Sequence, residues 1–91
     1  MVTAIILIST SRTQINSVAE TLASLEPVSE VYSVSGNYDL VAIVRVADND
    51  KFATFVTDQM AQIDGITSTH SMLAFNAFSR HDLDSMFSIG M

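Results

Sequence analysis

No cysteine stands anywhere in the 91 residues, so there is no disulfide framework, no thiolate metal site and no cysteine nucleophile. Basic residues are nearly as scarce: 4 Lys+Arg face 10 Asp+Glu, a formal charge of -6. That balance leaves no basic stripe to neutralise phosphates, which argues against direct nucleic-acid binding by this chain. Tryptophan is missing, proline occurs once and glycine three times, so the few breakers carry positional information. The apolar run Val2–Ile8 has no positive lead, is too short to cross a bilayer and meets polar Ser9, Thr10 and Ser11. It fits neither a signal peptide nor a membrane helix, and a cytoplasmic protein without membrane contact is expected.

What fills the sequence instead is apolar and hydroxyl side chains. Only 15% of residues are charged, against about a quarter in an average domain, while 48% are hydrophobic. A surface so poor in charge points to self-association, because a second copy covers apolar area that a small domain cannot bury alone.

Val2-Thr3-Ala4-Ile5-Ile6-Leu7-Ile8 is a run of strand length, apolar on both faces, as in a strand covered above and below. Ile15, Val18, Ala19, Leu22 and Leu25 then recur at helical spacing. Thr13 is the expected N-cap, and Pro27 stops that helix. A second strand is expected from Val28 to Ser35, with Val28, Tyr32 and Val34 on one face. Gly36-Asn37-Tyr38 turns the chain into a third strand, Leu40 to Val46, again apolar on both sides. Asp48, Asn49 or Asp50 caps a second helix striped by Phe52, Phe55, Val56, Met60 and Ile63, and Asp64-Gly65 ends it. A fourth strand is expected from Ile66 to about Phe78.

Shifting the chain by about 38 positions, an offset read off the sequence, lays Val2 on Leu40, Ile6 on Val44, Leu22 on Met60 and Val28 on Ile66. Two strand–helix–strand units joined by a hairpin make βαββαβ, an α+β ferredoxin-like fold: a four-stranded antiparallel sheet with both helices on one face. The first and third strands are then central, and their second apolar face is expected to dimerise. Residues 1–78 form the domain on this reading. Residues 79–91, with Leu83, Met86, Phe87 and Ile89, form a tail expected to dock on its own or a neighbouring subunit.

Val34-Ser35-Gly36-Asn37-Tyr38-Asp39-Leu40-Val41, followed one element later by Thr67-Ser68-Thr69-His70-Ser71, resembles the effector-binding (RAM) domain of the Lrp/AsnC transcription regulators. There a hairpin carries a Gly-x-Tyr-Asp signature and the last strand a Thr-x-Thr/Ser pattern. The resemblance runs over residues 2–78, and since the chain opens on the first strand it implies a member without the helix-turn-helix domain. It also implies a non-enzymatic, oligomeric module that senses an amino acid or related metabolite in clefts between dimers and acts on a full-length regulator of the family.

A zwitterionic amino acid needs an acceptor for its ammonium and donors for its carboxylate. Gly36 lets the backbone approach such a ligand, Asn37 belongs to the same ligand-binding turn, Tyr38 walls the cleft or packs at a subunit interface, and Asp39 accepts from the ammonium. Thr69 and Ser71 donate or accept at a neighbouring edge. The plainer reading of Gly36–Asp39 is a hairpin turn whose Asp39 bonds nearby backbone. His70 has no second ligand at metal spacing, and Arg45 reads as a solvated or salt-bridged cation. No cofactor, metal or catalytic residue is assigned. Two other readings stand beside the sensor: a dimeric ferredoxin-like monooxygenase or isomerase, for which only His70, Tyr38 and Asp39 are eligible, and a purely structural oligomerisation domain.

Overall fold

The computed structural model describes residues 1–78. Its strands are β1 (Val2–Thr10), β2 (Val28–Ser33), β3 (Leu40–Val46) and β4 (Ile66–Leu73). They pair in the order β2-β3-β1-β4, every neighbour antiparallel, the ferredoxin-like arrangement expected. Both apolar runs lie at the centre, Ile6 opposite Ala42 and Ile8 opposite Leu40.

Strict alternation gives that central pair one fully buried face. Ala4, Ile6, Ile8, Leu40, Ala42 and Val44 are each 0% exposed and pack with Val18, Leu22, Phe55 and Met60 from the two helical segments in a single core. The intervening Ile5, Leu7, Val41 and Ile43 are only half-buried and point to the other face. The internal repeat holds in space, since Leu22 and Met60 occupy matching core positions and Val28 and Ile66 open matching strands.

The first helical segment starts differently from expectation. A 3₁₀ turn, Arg12–Gln14, precedes α1 (Ile15–Ala23), so Thr13 lies inside that turn and caps nothing. Ser11 sets this start: its N–H is spent on the Gly65 carbonyl at 2.8 Å, while its own carbonyl accepts from Gln14 N–H at 3.0 Å. The helix has closed by Ser24, and Pro27 instead offers its carbonyl to Arg45 N–H at 2.9 Å, fastening the start of β2 to the end of β3.

The second segment begins as α2 (Asn49–Thr54), where Asp48 Oδ1 accepts from Lys51 N–H at 2.8 Å as an N-cap. It widens into a π turn, Phe55–Gln59, and closes through a 3₁₀ turn, Met60–Gln62. In the wide turn Met60 N–H reaches the Phe55 carbonyl, five residues back. That rephasing narrows the angle between Phe55 and Met60, about 140° in unbroken α geometry, and both enter the core.

Two strand expectations are corrected. A bulge between Val28 and Glu30 inserts one residue into β2, so Val28 opposes buried Val44 while Tyr32 opposes Val41 on the open face. The two therefore do not share a face. β4 ends at Leu73 rather than near Phe78: Ala74 still donates to the Thr3 carbonyl at 2.9 Å, but β1 begins at Val2 and offers no further partner. The expected docking of residues 79–91 lies outside the described residues.

Candidate functional site

Three bonds hold the Gly36–Asp39 turn. Asp39 Oδ2 accepts from Thr10 N–H at 2.8 Å. Asp39 N–H donates to the Ile8 carbonyl at 2.9 Å, and the Asp39 carbonyl accepts from Val34 N–H at 3.0 Å. Thr10 needs that partner because the β1–β3 ladder ends at Ile8 opposite Leu40, so its N–H lies past the last paired residue of β3. The carboxylate thus ties the turn to the end of β1 with one oxygen, leaving Oδ1 to accept elsewhere.

Gly36 takes φ +110°, and a Cβ built there would meet nothing within 4 Å. Glycine is therefore demanded by backbone conformation and not by crowding. Gly36 and Asn37 are exposed, while Tyr38 and Asp39 are half-buried.

Thr69 and Ser71 sit on β4, opposite Ile8 and Ile6, and share the sheet face that carries the helices. Thr69 lines a cleft of about 280 Å³ between β4 and the end of the second helical segment, with Val56, Met60 and Ile63 as its apolar wall. Thr67 and Ser68 line it too. Ser71 is not part of that cleft, and none of its lining residues comes from the Gly36–Asp39 turn. The sheet order places β1 between the turn and β4, so two strand spacings, about 10 Å, separate them. One chain brings Gly36, Asn37, Tyr38 and Asp39 together and sets Thr69 and Ser71 apart.

His70 points to the opposite face from Thr69, across from Leu7, and is divided by β1 from Tyr38 and Asp39. The three groups eligible for acid–base work do not converge. Among the described residues no three His, Cys, Asp or Glu gather where they could hold a metal ion. Arg45 is exposed, near enough to Tyr32 to oppose a rise in its pKa. The larger effect on Tyr32 comes from Glu30, whose carboxylate accepts the phenol hydrogen and raises the Tyr32 pKa above 10.0.

Thr10 escaped the sequence reading because 29 residues separate it from Asp39 and no spacing rule links a strand end to a later turn. The apolar run that signalled β1 stopped at Ile8, two residues short of it. Thr67 and Ser68 belonged to the quoted Thr/Ser run, but only the docked second helical segment makes a cleft of it.

The turn, sheet order and β4 run bear on kinship. The sequence profile described as the Lrp/AsnC ligand binding domain matches residues 3–83. The chain belongs to this family. Among curated proteins, the Lrp/AsnC domain is similar to the HTH-type transcriptional regulator LrpA1 of Halobacterium salinarum, 42% identical over 50 residues, covering 55% of this chain and 35% of that protein. It spans less than half the length of the curated relatives it first matches. Among solved structures, TTHA0845 from Thermus thermophilus superposes with TM-score 0.81 at 40% identity, covering 88% of this chain and all of the other. AsnC of E. coli gives TM-score 0.81 at 27% identity over 87% of this chain and 54% of its own. No described helix of this Lrp/AsnC domain is long and apolar enough to cross a membrane.

Proposed function

We propose that this Lrp/AsnC ligand-binding domain is a non-enzymatic, oligomeric sensor of an amino acid or closely related metabolite. The observation that carries the reading is the pinned turn: Asp39 is fixed through Thr10 while half its carboxylate stays available, beside exposed backbone at Gly36 and Asn37. A prearranged acceptor next to uncommitted backbone suits an ammonium and a carboxylate borne on one carbon. Tyr38 forms the adjoining wall. Since β1 keeps Thr69 and Ser71 from that turn within one chain, their contribution to the same ligand comes from a neighbouring copy.

Assembly rests on the open sheet face. Ile5, Leu7, Val41 and Ile43 are half-buried there, with Tyr32 49% and Met72 41% exposed around them. Apolar area of this kind is worth roughly 25 cal/mol per Å² when a second copy covers it. Ligand binding then shifts the equilibrium between assemblies, or between this domain and a full-length Lrp/AsnC regulator, by as much as it prefers one state. The acidic chain itself makes no nucleic-acid contact in this account, and it works in the cytoplasm.

Calorimetric titration of a pooled amino-acid panel into the wild type and Asp39→Ala tests the site. Binding to the wild type that Asp39→Ala weakens at least tenfold supports it, and undiminished binding to that variant removes Asp39 from it. Pull-down of a full-length Lrp/AsnC regulator with the tagged chain tests the partner, and repeated failure to recover one counts against co-assembly.

A further inference from the structure

A second cleft, larger than the one beside Thr69, lies away from this site. It is a cleft of about 490 Å³ at the far end of β3, where Arg45 and Val46 leave the sheet between Pro27 and the second helical segment. Seven residues of strand, about 20 Å, separate it from the Gly36–Asp39 turn. Its volume falls within the range of small-molecule pockets, about 300–1,000 Å³, whereas the Thr69 cleft is smaller.

Its composition runs against that of the whole chain. The protein carries only 4 Lys+Arg at a net charge of -6, yet both Arg45 and Lys51 line this cleft. Phe55, 2% exposed, forms a fixed apolar floor, with Pro27 and Val46 beside it. Lys51 is held at its backbone by the Asp48 cap and keeps its ammonium exposed. Glu26 stands on the same rim and supplies an acceptor. Fixed apolar walls under two cations match a ligand with an anionic head and a short hydrocarbon body.

We propose that this cleft is a second ligand site, complete within one copy of the chain, for a small carboxylate bearing a short apolar side chain. Unlike the turn site, it needs no residue from a neighbour. Glu26 decides whether an α-ammonium is also accepted, so the amino acid and its keto analogue are two sources of one recognised chemistry.

The test is calorimetric titration of L-leucine, 4-methyl-2-oxopentanoate and leucinol into the 91-residue chain and three variants. Both carboxylates bind and leucinol does not. Lys51→Ala raises the dissociation constant at least fivefold. Thr54→Phe, a substitution at an exposed lining residue that fills the cleft without touching the core, abolishes binding of 4-methyl-2-oxopentanoate. Asp39→Asn leaves the binding of 4-methyl-2-oxopentanoate, which has no ammonium for the turn to hold, unchanged, and this separates the cleft from the turn site. Circular dichroism confirms that each variant is folded. Absence of heat with both carboxylates overturns the proposal, as does 4-methyl-2-oxopentanoate binding that survives Thr54→Phe or is lost only in Asp39→Asn. That last outcome assigns the ligand to the turn and leaves the proposed function standing.

Discussion

Asp39 and Thr10, 29 residues apart in sequence, are joined by a 2.8 Å bond from the Thr10 N–H to the Asp39 carboxylate. One side chain thereby closes a gap in the β1 edge and orients the turn that follows β2. Structural and functional readings of this aspartate are therefore not alternatives, because the bond that makes it a turn anchor also prearranges it as an acceptor.

Asp39→Ala is expected to stay folded and to lose about 1.5–3 kcal/mol, the range for a hydrogen bond to a charged group whose partner is left unsatisfied. Urea unfolding followed by circular dichroism measures it. An unchanged midpoint would show that water replaces the carboxylate at Thr10 without cost.

Glycines 36 and 65 both have positive φ, +110° and +102°, but differ in surroundings. A Cβ at Gly65 would come within 2.9 Å of Val18 Cγ2 and 3.1 Å of Gln14, while one at Gly36 meets open space. Gly36→Ala should cost about 1–2 kcal/mol from backbone strain alone. Gly65→Ala adds a clash with a core side chain and should cost more, about 3 kcal/mol. Thermal melts of the two variants read the difference, and equal losses would contradict the packing at Gly65.

Tyr32 titrates above 10.0 because its hydroxyl donates to Glu30, whose negative charge further opposes ionisation. With the folded pKa raised, the associated stabilisation is present below the ordinary tyrosine value and is lost as pH climbs through the folded value. Ultraviolet titration should show the late phenol returning toward its ordinary value in Glu30→Gln. A phenol that ionises identically in both proteins would refute the contact.

Leu7 and Ile43 stand on the open face and outside the core, so lysine at either position is tolerated by the fold and not by an apolar interface. Ile43→Lys should weaken self-association by roughly 3 kcal/mol, more than a hundredfold in dissociation constant. Sedimentation velocity gives the answer: a folded monomer is expected, and an unaltered assembly would place the contact elsewhere.

Much of this architecture was legible because it follows from periodicity. The doubly apolar runs Val2–Ile8 and Leu40–Val46 identified the central strands, and the internal offset of about 38 residues, read off the sequence, gave the topology. Gly36 and Gly65 marked the turns by conformation. Features created by accommodation were not legible. The bulge after Val28 reversed the facing of Tyr32, and the π turn at Phe55 reset the second helical segment, each answering to packing against an element distant in sequence. For the candidate site, Gly36–Asp39 are contiguous in sequence and so necessarily lie together, whereas the gap of β1 between Asp39 and Thr69 follows only from the strand order.

The central claim, an assembled sensor whose turn holds an amino acid, is tested most directly by native mass spectrometry of the chain with and without a pooled amino-acid panel. The account predicts an even-numbered assembly that gains amino-acid mass, with the gain reduced in Asp39→Ala and kept in Thr54→Phe. A monomer, or an assembly that takes up no amino acid at any subunit, would contradict it.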